Sequence, residues 1–314
     1  MLRYRRMSAP TDLELSVFRT LCWFSIFEIP LTSFDVWKWL LKSTARYDLF
    51  EVDRALCESE WLSRRLAESH GMYCLHGMAV DAQINTRRRR FLDATRKYKK
   101  LRRGAHFFQL FPGVRAVCAA NTMAWWHTTH QSDIDLFIMT KPGHIWSSRF
   151  WLVLPFLLTG ERPHSAHTAF VRDPFCFSFF ASSESLQMEP LKWDDRDYYL
   201  AYWLKSLVPL FDRDALTSHV DAMNKWASVM LPNARSRAIH PLHKPRHIPR
   251  LPVQWRVFEP VLRHLQRRRF PRVLCELANK DSRVVITDDI LKFHENDRRA
   301  EFIHAFEDVY AKHL

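Results

Sequence analysis

Glycine is unusually rare in this sequence, with six residues in 314. None of the six lies in a G-x-G-x-x-G or a G-x-x-x-x-G-K-[ST] pattern. The Rossmann dinucleotide fold and the Walker A loop both need closely spaced glycines, because these let backbone N–H groups approach a phosphate. The sequence therefore excludes these two kinds of nucleotide-binding site.

The charge balance of the chain is strongly basic. Lysine and arginine number 47 against 34 aspartates and glutamates, which gives a net charge of +13. Such a charge favours a polyanionic partner: a nucleic acid, nucleotide phosphates or an anionic membrane surface. Charge alone does not choose among the three. At 47% hydrophobic residues the chain can bury a sizeable core, and its length predicts two or three domains.

The cysteines and the apolar segments indicate a cytoplasmic protein. None of the six cysteines forms a C-x-x-C pair, so we expect free thiols in a reducing compartment, without a zinc knuckle or a disulfide framework. The N-terminal MLRYRRMSAP precedes no apolar signal-peptide core. The longest apolar run, Phe150 to Leu158, is about half of a membrane span. We expect a soluble, cytoplasmic chain.

The first 80 residues predict a winged-helix-like domain. Capping boxes at Thr11–Glu14 and Thr32–Asp35 mark two helix starts, and a third helix is predicted from Val52 to Glu68. Met72 to Leu75 then reads as a strand or hairpin edge. This order is typical of a winged helix, for which two roles stay open: nucleic-acid binding through the third helix, or a structural or protein-contacting role.

A basic segment follows, from Thr86 to Arg103. It contains four consecutive arginines, Arg87, Arg88, Arg89 and Arg90, and a second cluster of lysines and arginines. No glycine or proline interrupts the segment, so a helix is predicted, and its like charges would repel one another at i,i+4. We expect contact with a polyanion such as nucleic acid through the four arginines. The alternatives are a solvated helical face and packing against acidic surface.

Residues 81–192 predict a compact α/β unit. Strands are expected at Val114–Ala119, at 133–140 and at Phe175–Phe180, with a buried helix at Trp146–Leu158. Residues 193–314 are expected to be mainly helical, with His240 to Pro252 as a proline-rich linker. The fold class predicted for the whole chain is α+β.

Two carboxylates stand out in the second of these strands. Asp133 and Asp135 are separated by one residue, so their side chains point to the same face, and Ile134 and Leu136 pack on the other. Such a pair repels itself unless a cation lies between the two groups, and hard oxygen ligands suit Mg²⁺. The alternative is a strand end with two solvated aspartates.

The surroundings of this pair resemble a known superfamily. Asn121-Thr122 ends the preceding strand, and ten residues separate Thr122 from Asp133 in AANTMAWWHTTHQSDIDLFIMT. This resembles the nucleotidyltransferase superfamily of the polymerase β type, whose pattern is h-G-[GS], about ten residues, then D-h-[DE]-h. The chain also resembles a group of bacterial nucleotidyltransferase-like proteins that join an N-terminal winged helix to such a core. The matching segments are IFEIPLTSFDVW at 26–37, SDIDLFIMTKPGHIWSSRFW at 132–151 and VVITDDILKFHENDRR at 284–299.

The resemblance implies a mixed-sheet nucleotidyltransferase-like core and roles for particular residues. Asp133 and Asp135 would hold the Mg²⁺ that activates the attacking hydroxyl and orients the triphosphate. Asn121 and Thr122 replace the Gly-Ser turn that binds the triphosphate, and asparagine tolerates the left-handed backbone conformation. Further nucleotide-binding candidates are Ser132, which precedes the motif, and two cations that follow it, Lys141 and Arg149.

One departure bears on catalysis. The superfamily places a third carboxylate on the next strand, but in FCFSFF the residues expected on the shared face are Cys176, Ser178 and Phe180. Two functions follow as expectations. The first is Mg²⁺-dependent transfer of a nucleoside monophosphate from an NTP to a hydroxyl acceptor. The second is a catalytically degenerate regulator that binds nucleotide or nucleic acid. The tail segment DDILKFHENDRR is expected to be helical and either to cap the cleft or to form a salt-bridged surface.

Overall fold

The structure is a computed structural model that describes residues 9–159, 172–239, 248–249 and 255–314. Its described part contains both helices and strands, and the larger of its two sheets is mixed, which confirms the α+β class. The proposed linker from His240 to Pro252 lies almost entirely outside the described residues. Within the described ranges, no helix has both the length and the apolar character needed to cross a bilayer.

The N-terminal region combines short helices with a small antiparallel sheet, whose strand order is β1-β3-β2. Its elements are α1 (Asp12–Ser25), β1 (Leu31–Thr32), α2 (Ser33–Lys38), α3 (Leu49–Glu58), α4 (Glu60–Ser63), β2 (Leu66–Ser69) and β3 (Met72–Leu75). Both predicted capping boxes are confirmed, at Thr11 with Glu14 and at Thr32 with Asp35.

The predicted third helix is too long. It ends at Glu58, Ser59 starts the separate short helix α4, and Leu66–Ser69 pairs with the predicted strand Met72–Leu75. His70 and Gly71 join the two strands with φ angles of 52° and 71°. Two successive positive φ angles suit a tight hairpin turn, which matches the twist of the strands. The chain therefore turns back at this point instead of continuing as a helix.

The second sheet has six strands in the order β7-β4-β5-β6-β9-β8. Strands β5 and β6 are parallel, and the other neighbours are antiparallel. The strands are β4 (Val114–Ala119), β5 (Ile134–Thr140), β6 (Phe175–Ser182), β7 (Val208–Asp212), β8 (Val284–Ile286) and β9 (Ile290–Phe293). The helices around them are α5 (Val80–Phe108), α6 (Asn121–Ala124), α7 (Ile145–Leu158), α8 (Tyr198–Ser206), α9 (Leu216–Met223), α10 (Lys225–Met230), α11 (Glu259–Arg268), α12 (Arg272–Leu277) and α13 (Arg299–His313).

The two faces of this sheet belong to different hydrophobic clusters. Ile134, Leu136 and Ile138 pack with residues of α5, α7 and α11. Phe137 and Met139 pack with α1, α8 and α13, so the N-terminal region rests on that same face. We call these the helix face and the domain face of the sheet. Because strand side chains alternate, Asp135 falls on the domain face together with Phe137.

The C-terminal third departs from the prediction of a mainly helical region, because three of its strands complete the large sheet. Strand β7 pairs with β4, and β9 pairs with β6. The tail segment predicted as a helix forms β9, and the last helix begins only at Arg299. Pairing with a strand more than 100 residues earlier decides the conformation of this segment, and local sequence does not show such a pairing.

A β-bulge in β6 changes which side chains reach the domain face. Asp135 pairs with Cys176, but Phe137 pairs with Phe179, so β6 contains one extra residue between the two pairs. Phe179 consequently packs on the domain face and Phe180 on the helix face. The predicted shared face of Cys176, Ser178 and Phe180 is therefore wrong at its last residue.

Candidate active site

The aspartate pair lies at the start of β5. Asp133 is exposed and immediately precedes the strand, while Asp135 is half-buried within it. Ile134 and Leu136 are buried on the helix face, as predicted. Burial raises the pKa of Asp135 to about 6, hydrogen bonds from Asn121 and Cys176 oppose this, and the negative charge of Asp133 adds to the increase. The two carboxylates are thus close enough to repel each other.

Asn121 supports Asp135 directly. Its φ angle is 50°, the left-handed conformation that asparagine tolerates better than most residues. The side chain of Asn121 donates to the Asp135 carboxylate and accepts a 3.2 Å hydrogen bond from the Tyr199 hydroxyl. The backbone N–H of Ala120 donates to the Asp135 carbonyl at 3.0 Å. The turn therefore holds the carboxylate in place through the Asn121 amide.

Thr122 and Ser132 flank this arrangement. Thr122 is exposed in α6, and Ser132 lies in the turn just before Asp133. The Ser132 hydroxyl accepts a 3.0 Å hydrogen bond from the backbone N–H of Thr129. Ser132 therefore stabilises the turn that leads into the aspartate pair.

A lysine of the basic segment anchors that same turn. Lys97 is fully buried, and its ammonium donates to the carbonyls of Thr129 (2.6 Å) and Ser132. It also lies 3.5 Å from carboxylate oxygens of Asp93 and Asp173. Part of the predicted polyanion-binding segment is thus structural: it fixes the approach to Asp133.

The four consecutive arginines divide into two pairs. Arg87 forms a 2.8 Å ion pair with Asp35, and Arg90 lies 3.9 Å from a carboxylate oxygen of Glu28, so both face the N-terminal region. Arg90 also contacts His127. Arg88 and Arg89 are exposed. The sequence predicted that all four arginines would form one contact surface. In the structure only Arg88 and Arg89 are exposed and able to contribute to it.

The structure does not bring Lys141 and Arg149 to the aspartates. Lys141 follows the far end of β5, six residues from Asp135, a separation of about 20 Å in an extended strand. Arg149 lies in α7 on the helix face, where it donates to Gln266 at 2.6 Å and packs 4.9 Å from the ring centre of Phe293. Asp135 points to the domain face of β5, so the sheet lies between its carboxylate and Arg149.

A row of hydrogen-bonding side chains extends from Asp135 across β6. The Cys176 thiol donates to the Asp135 carboxylate, and Ser178 hydrogen-bonds to Cys176. The Ser178 hydroxyl also lies 3.0 Å from Nε2 of His294, directly after β9. Burial raises the pKa of the Cys176 thiol, which therefore stays protonated. Burial, with the nearby charge of Lys292, lowers the pKa of His294 to about 4, so its ring is neutral at neutral pH.

A cavity of about 410 Å³ opens beside this row. Its lining residues come mainly from β9, the segment after it and α8: Asn121, Phe179, Tyr199, Leu200, Trp203, Lys292, Phe293, His294, Glu295, Asn296, Asp297, Arg298, Arg299 and Phe302. The segment is held by Arg299, which is 5% exposed and bonds both Asp197 (2.6 Å) and Asp297 (2.7 Å). We call this space the polar cavity.

A second, largely aromatic cavity of about 190 Å³ adjoins Asn121 and Thr122. Its walls come from α1, α6 and α8 and include Trp23, Phe24 and Trp125. Both cavities share Asn121 in their lining, so the Asn121-Thr122 turn lies between an aromatic space and a polar one.

The donor set at the aspartate pair suits one kind of metal. Among the described residues, no group of three or more His, Cys, Asp and Glu side chains is arranged to hold a metal ion. Two carboxylates that repel each other nevertheless match Mg²⁺, which commonly takes one or two carboxylates and completes its shell with phosphate oxygens and water. Asp133 and Asp135 therefore fit a Mg²⁺ that arrives with a nucleotide.

Two neighbours of the pair were not assigned to the site from sequence. Tyr199 reaches Asn121 from α8, and His294 reaches Ser178 from the end of β9. The density of polar groups in DDILKFHENDRR was the available signal for His294. Tyr199 gave no comparable signal, because it lies in a helix rich in aromatic residues.

Comparison of the chain with protein-family models, with curated proteins and with solved structures gives no match. The resemblance to nucleotidyltransferases therefore remains a prediction that rests on the sequence motif.

Proposed function

We propose that the chain transfers a nucleoside monophosphate from an NTP to a hydroxyl acceptor with Mg²⁺ as cofactor. The observation that carries this proposal is the aspartate pair: two mutually repelling carboxylates at a strand start, of which Asp135 accepts a hydrogen bond from Asn121. Asn121 in turn lines both cavities. We propose further that β4, β5 and β6 with their helices form a nucleotidyltransferase-type core. The N-terminal region would be a winged helix, and the protein would act in the cytoplasm.

The residues of the site have distinct tasks in this proposal. Asp133 and Asp135 bind Mg²⁺, while Asn121 and Tyr199 fix the orientation of the Asp135 carboxylate. Bound Mg²⁺ supplies positive charge that offsets the negative charge of the triphosphate. The exposed Thr122 lies on the same turn and offers a hydroxyl to the phosphates. Lys97 holds the turn that precedes Asp133 and so limits the movement of that carboxylate.

The test is label transfer from each α-³²P-NTP in the presence of Mg²⁺, with the purified full chain and a panel of hydroxyl compounds. We expect labelled product with wild type and none with Asp133→Asn or Asp135→Asn. Asp289→Asn serves as the matched control, because Asp289 is an exposed carboxylate in the turn between β8 and β9. Equal labelling by wild type and the Asp135 variant would refute the proposal.

One observation favours a second candidate, a non-catalytic regulator. The face of β6 beside Asp135 offers Cys176 and Ser178 where the superfamily has a carboxylate, and a carboxylate is the usual proton acceptor there. A regulator would bind nucleotide at the aspartate pair, or nucleic acid through Arg88 and Arg89, without turnover. Saturable binding of NTP and Mg²⁺ combined with no label transfer to any acceptor would favour this candidate.

A further inference from the structure

The site lacks the carboxylate that would usually accept the proton of the attacking hydroxyl. In the transfer we propose, an acceptor hydroxyl must lose its proton as it attacks the α-phosphorus. Neither Cys176 nor Ser178 on the adjacent strand is a carboxylate. The Cys176 thiol cannot take the proton, because burial keeps it protonated and it already donates to Asp135.

The hydrogen-bonded row across β6 leads to another base. We infer that Ser178 and His294 together accept the proton of a small-molecule hydroxyl that enters from the polar cavity. Ser178 lies two residues from Cys176, the partner of Asp135 in the sheet, and its hydroxyl is 3.0 Å from Nε2 of His294. Cys176 thus connects Asp135 to Ser178, and His294 at the other end of the row lines the polar cavity.

Groups of both signs surround His294, and Asp297 is the one that favours a protonated ring. Lys292, Asp297 and Arg299 face the ring from its own segment and from α13, and Ser178 and the ring of Phe179 face it from β6. Burial is the main cause of its lowered pKa, with Lys292 and Arg299 adding to it and Asp297 opposing it. The imidazole is therefore neutral before the reaction, and the proposal assigns it the tautomer with a proton on Nδ1, whose Nε2 lone pair faces Ser178. Its low pKa means that it holds the accepted proton only briefly before the proton passes to water.

Proton transfer from the acceptor accompanies its attack on the α-phosphorus. The acceptor O–H bond breaks and its proton passes to Oγ of Ser178, while the Ser178 proton passes to Nε2 of His294. The acceptor oxygen bonds to the α-phosphorus, and the bond from that phosphorus to the bridging oxygen breaks. Pyrophosphate leaves with that electron pair, and the His294 imidazolium returns its proton to water in the cavity.

The size of the cavity selects the class of acceptor. A volume of about 410 Å³ lies in the range of small-molecule sites. Its walls combine aromatic rings such as Trp203 and Phe302 with polar side chains such as Asn296 and Glu295. This mixture suits a small polyhydroxylated compound, whose C–H faces pack on rings while its hydroxyls form hydrogen bonds.

This inference rests on the proposed transferase function. The experiment tests separately whether transfer occurs and whether Ser178 and His294 accept the proton. Pyrophosphate release from ATP and Mg²⁺ is measured with glycerol as the acceptor probe, for wild type, His294→Gln, His294→Ala and Ser178→Ala. We expect kcat to fall about 10²- to 10⁴-fold in both His294 variants, as for the loss of a general base. ATP affinity, measured by equilibrium dialysis, should stay unchanged, and imidazole added to His294→Ala should restore turnover. His144→Gln is the control, because His144 is a buried histidine at the start of α7 and lines neither cavity.

The possible outcomes are distinct. No release by wild type overturns the transferase function and this inference with it. Release that requires Asp135 but is unaffected in both His294 variants overturns only the inference. A fall in kcat that imidazole does not restore, accompanied by weaker ATP binding or a lower unfolding temperature, also overturns it, since that pattern marks a structural role. His294→Gln keeps a hydrogen-bonding group opposite Ser178, so it separates proton acceptance from packing.

Discussion

Replacing Lys97 with methionine tests whether the basic segment acts as part of the core. The Lys97 ammonium lies at the centre of a buried network, with two carbonyl acceptors and two carboxylates around it. Methionine fills a similar volume but brings no charge and no donor. The change therefore leaves the carbonyls of Thr129 and Ser132 without this donor and removes one cation from Asp93 and Asp173.

The loss of unfolding free energy in the Lys97 variant depends on which partners of Asp93 and Asp173 remain. Removal of one member of a buried ion pair costs about 3–5 kcal/mol of unfolding free energy. Arg96 still bonds Asp93 (2.7 Å) and Asp173 (2.8 Å), so we expect the lower end, about 3 kcal/mol. Unfolding entropy is about 2.1 cal/mol/K per residue, or about 0.7 kcal/mol/K for 314 residues. The unfolding temperature should therefore fall by about 4 °C.

The assay is thermal unfolding followed by circular dichroism, with Lys99→Met as the matched control. Lys99 is exposed on the same helix, and its replacement should change stability by less than about 0.5 kcal/mol. If the two variants unfold at the same temperature, Lys97 does not form the buried network described here. A Lys97 variant as stable as wild type would refute the reasoning in the same way.

Three further predictions concern the site and the exposed arginines. Because the pKa of Asp135 rises from about 3.8 to about 6 on folding, the folded state binds the extra proton, and wild-type stability should fall as pH increases through this interval. Asp135→Asn should lack that slope in urea titrations at pH 4 to 7, and an identical slope would contradict the assigned cause. Asn121→Ala should be about 1–2 kcal/mol less stable than Asn121→Gly in the same assay, since alanine opposes a φ of 50° and glycine does not. If duplex DNA binds at the exposed arginines, replacing Arg88 and Arg89 with glutamine should reduce the log–log salt slope of affinity by about 2, and an unchanged slope would exclude them.

The features that sequence predicted correctly are those fixed by neighbouring residues. The capping boxes at Thr11 and Thr32 involve side chains three residues apart, and the structure contains both. Alternation along β5 predicted that Ile134 and Leu136 would pack opposite the aspartates, and they do. Local chemistry decides such features, so their residue patterns are sufficient to predict them.

The features that sequence missed depend on distant partners. The tail segment has helix-compatible residues, but pairing with β6 makes it a strand. The β6 bulge moves Phe179 to the domain face, although regular alternation predicts Phe180 there. Lys97 belongs to a run of cations for which polyanion contact was expected, with packing against acidic groups as one alternative. The structure places it between Asp93 of its own helix and the distant Asp173. None of these outcomes can be read from a single segment.

The strand order has a consequence for anyone who divides the chain into fragments. Residues 81–192 contain β4, β5 and β6, but β4 needs β7 and β6 needs β9 on its outer side. A fragment ending at residue 192 would expose unpaired N–H and C=O groups along both of its margins, and such margins recruit other chains. It would also lose Tyr199 and His294, and without α1 the aromatic surface around Trp125 would face water. Expression of this middle piece alone should therefore yield aggregates, whereas the shortest workable unit runs from the first helix to the last.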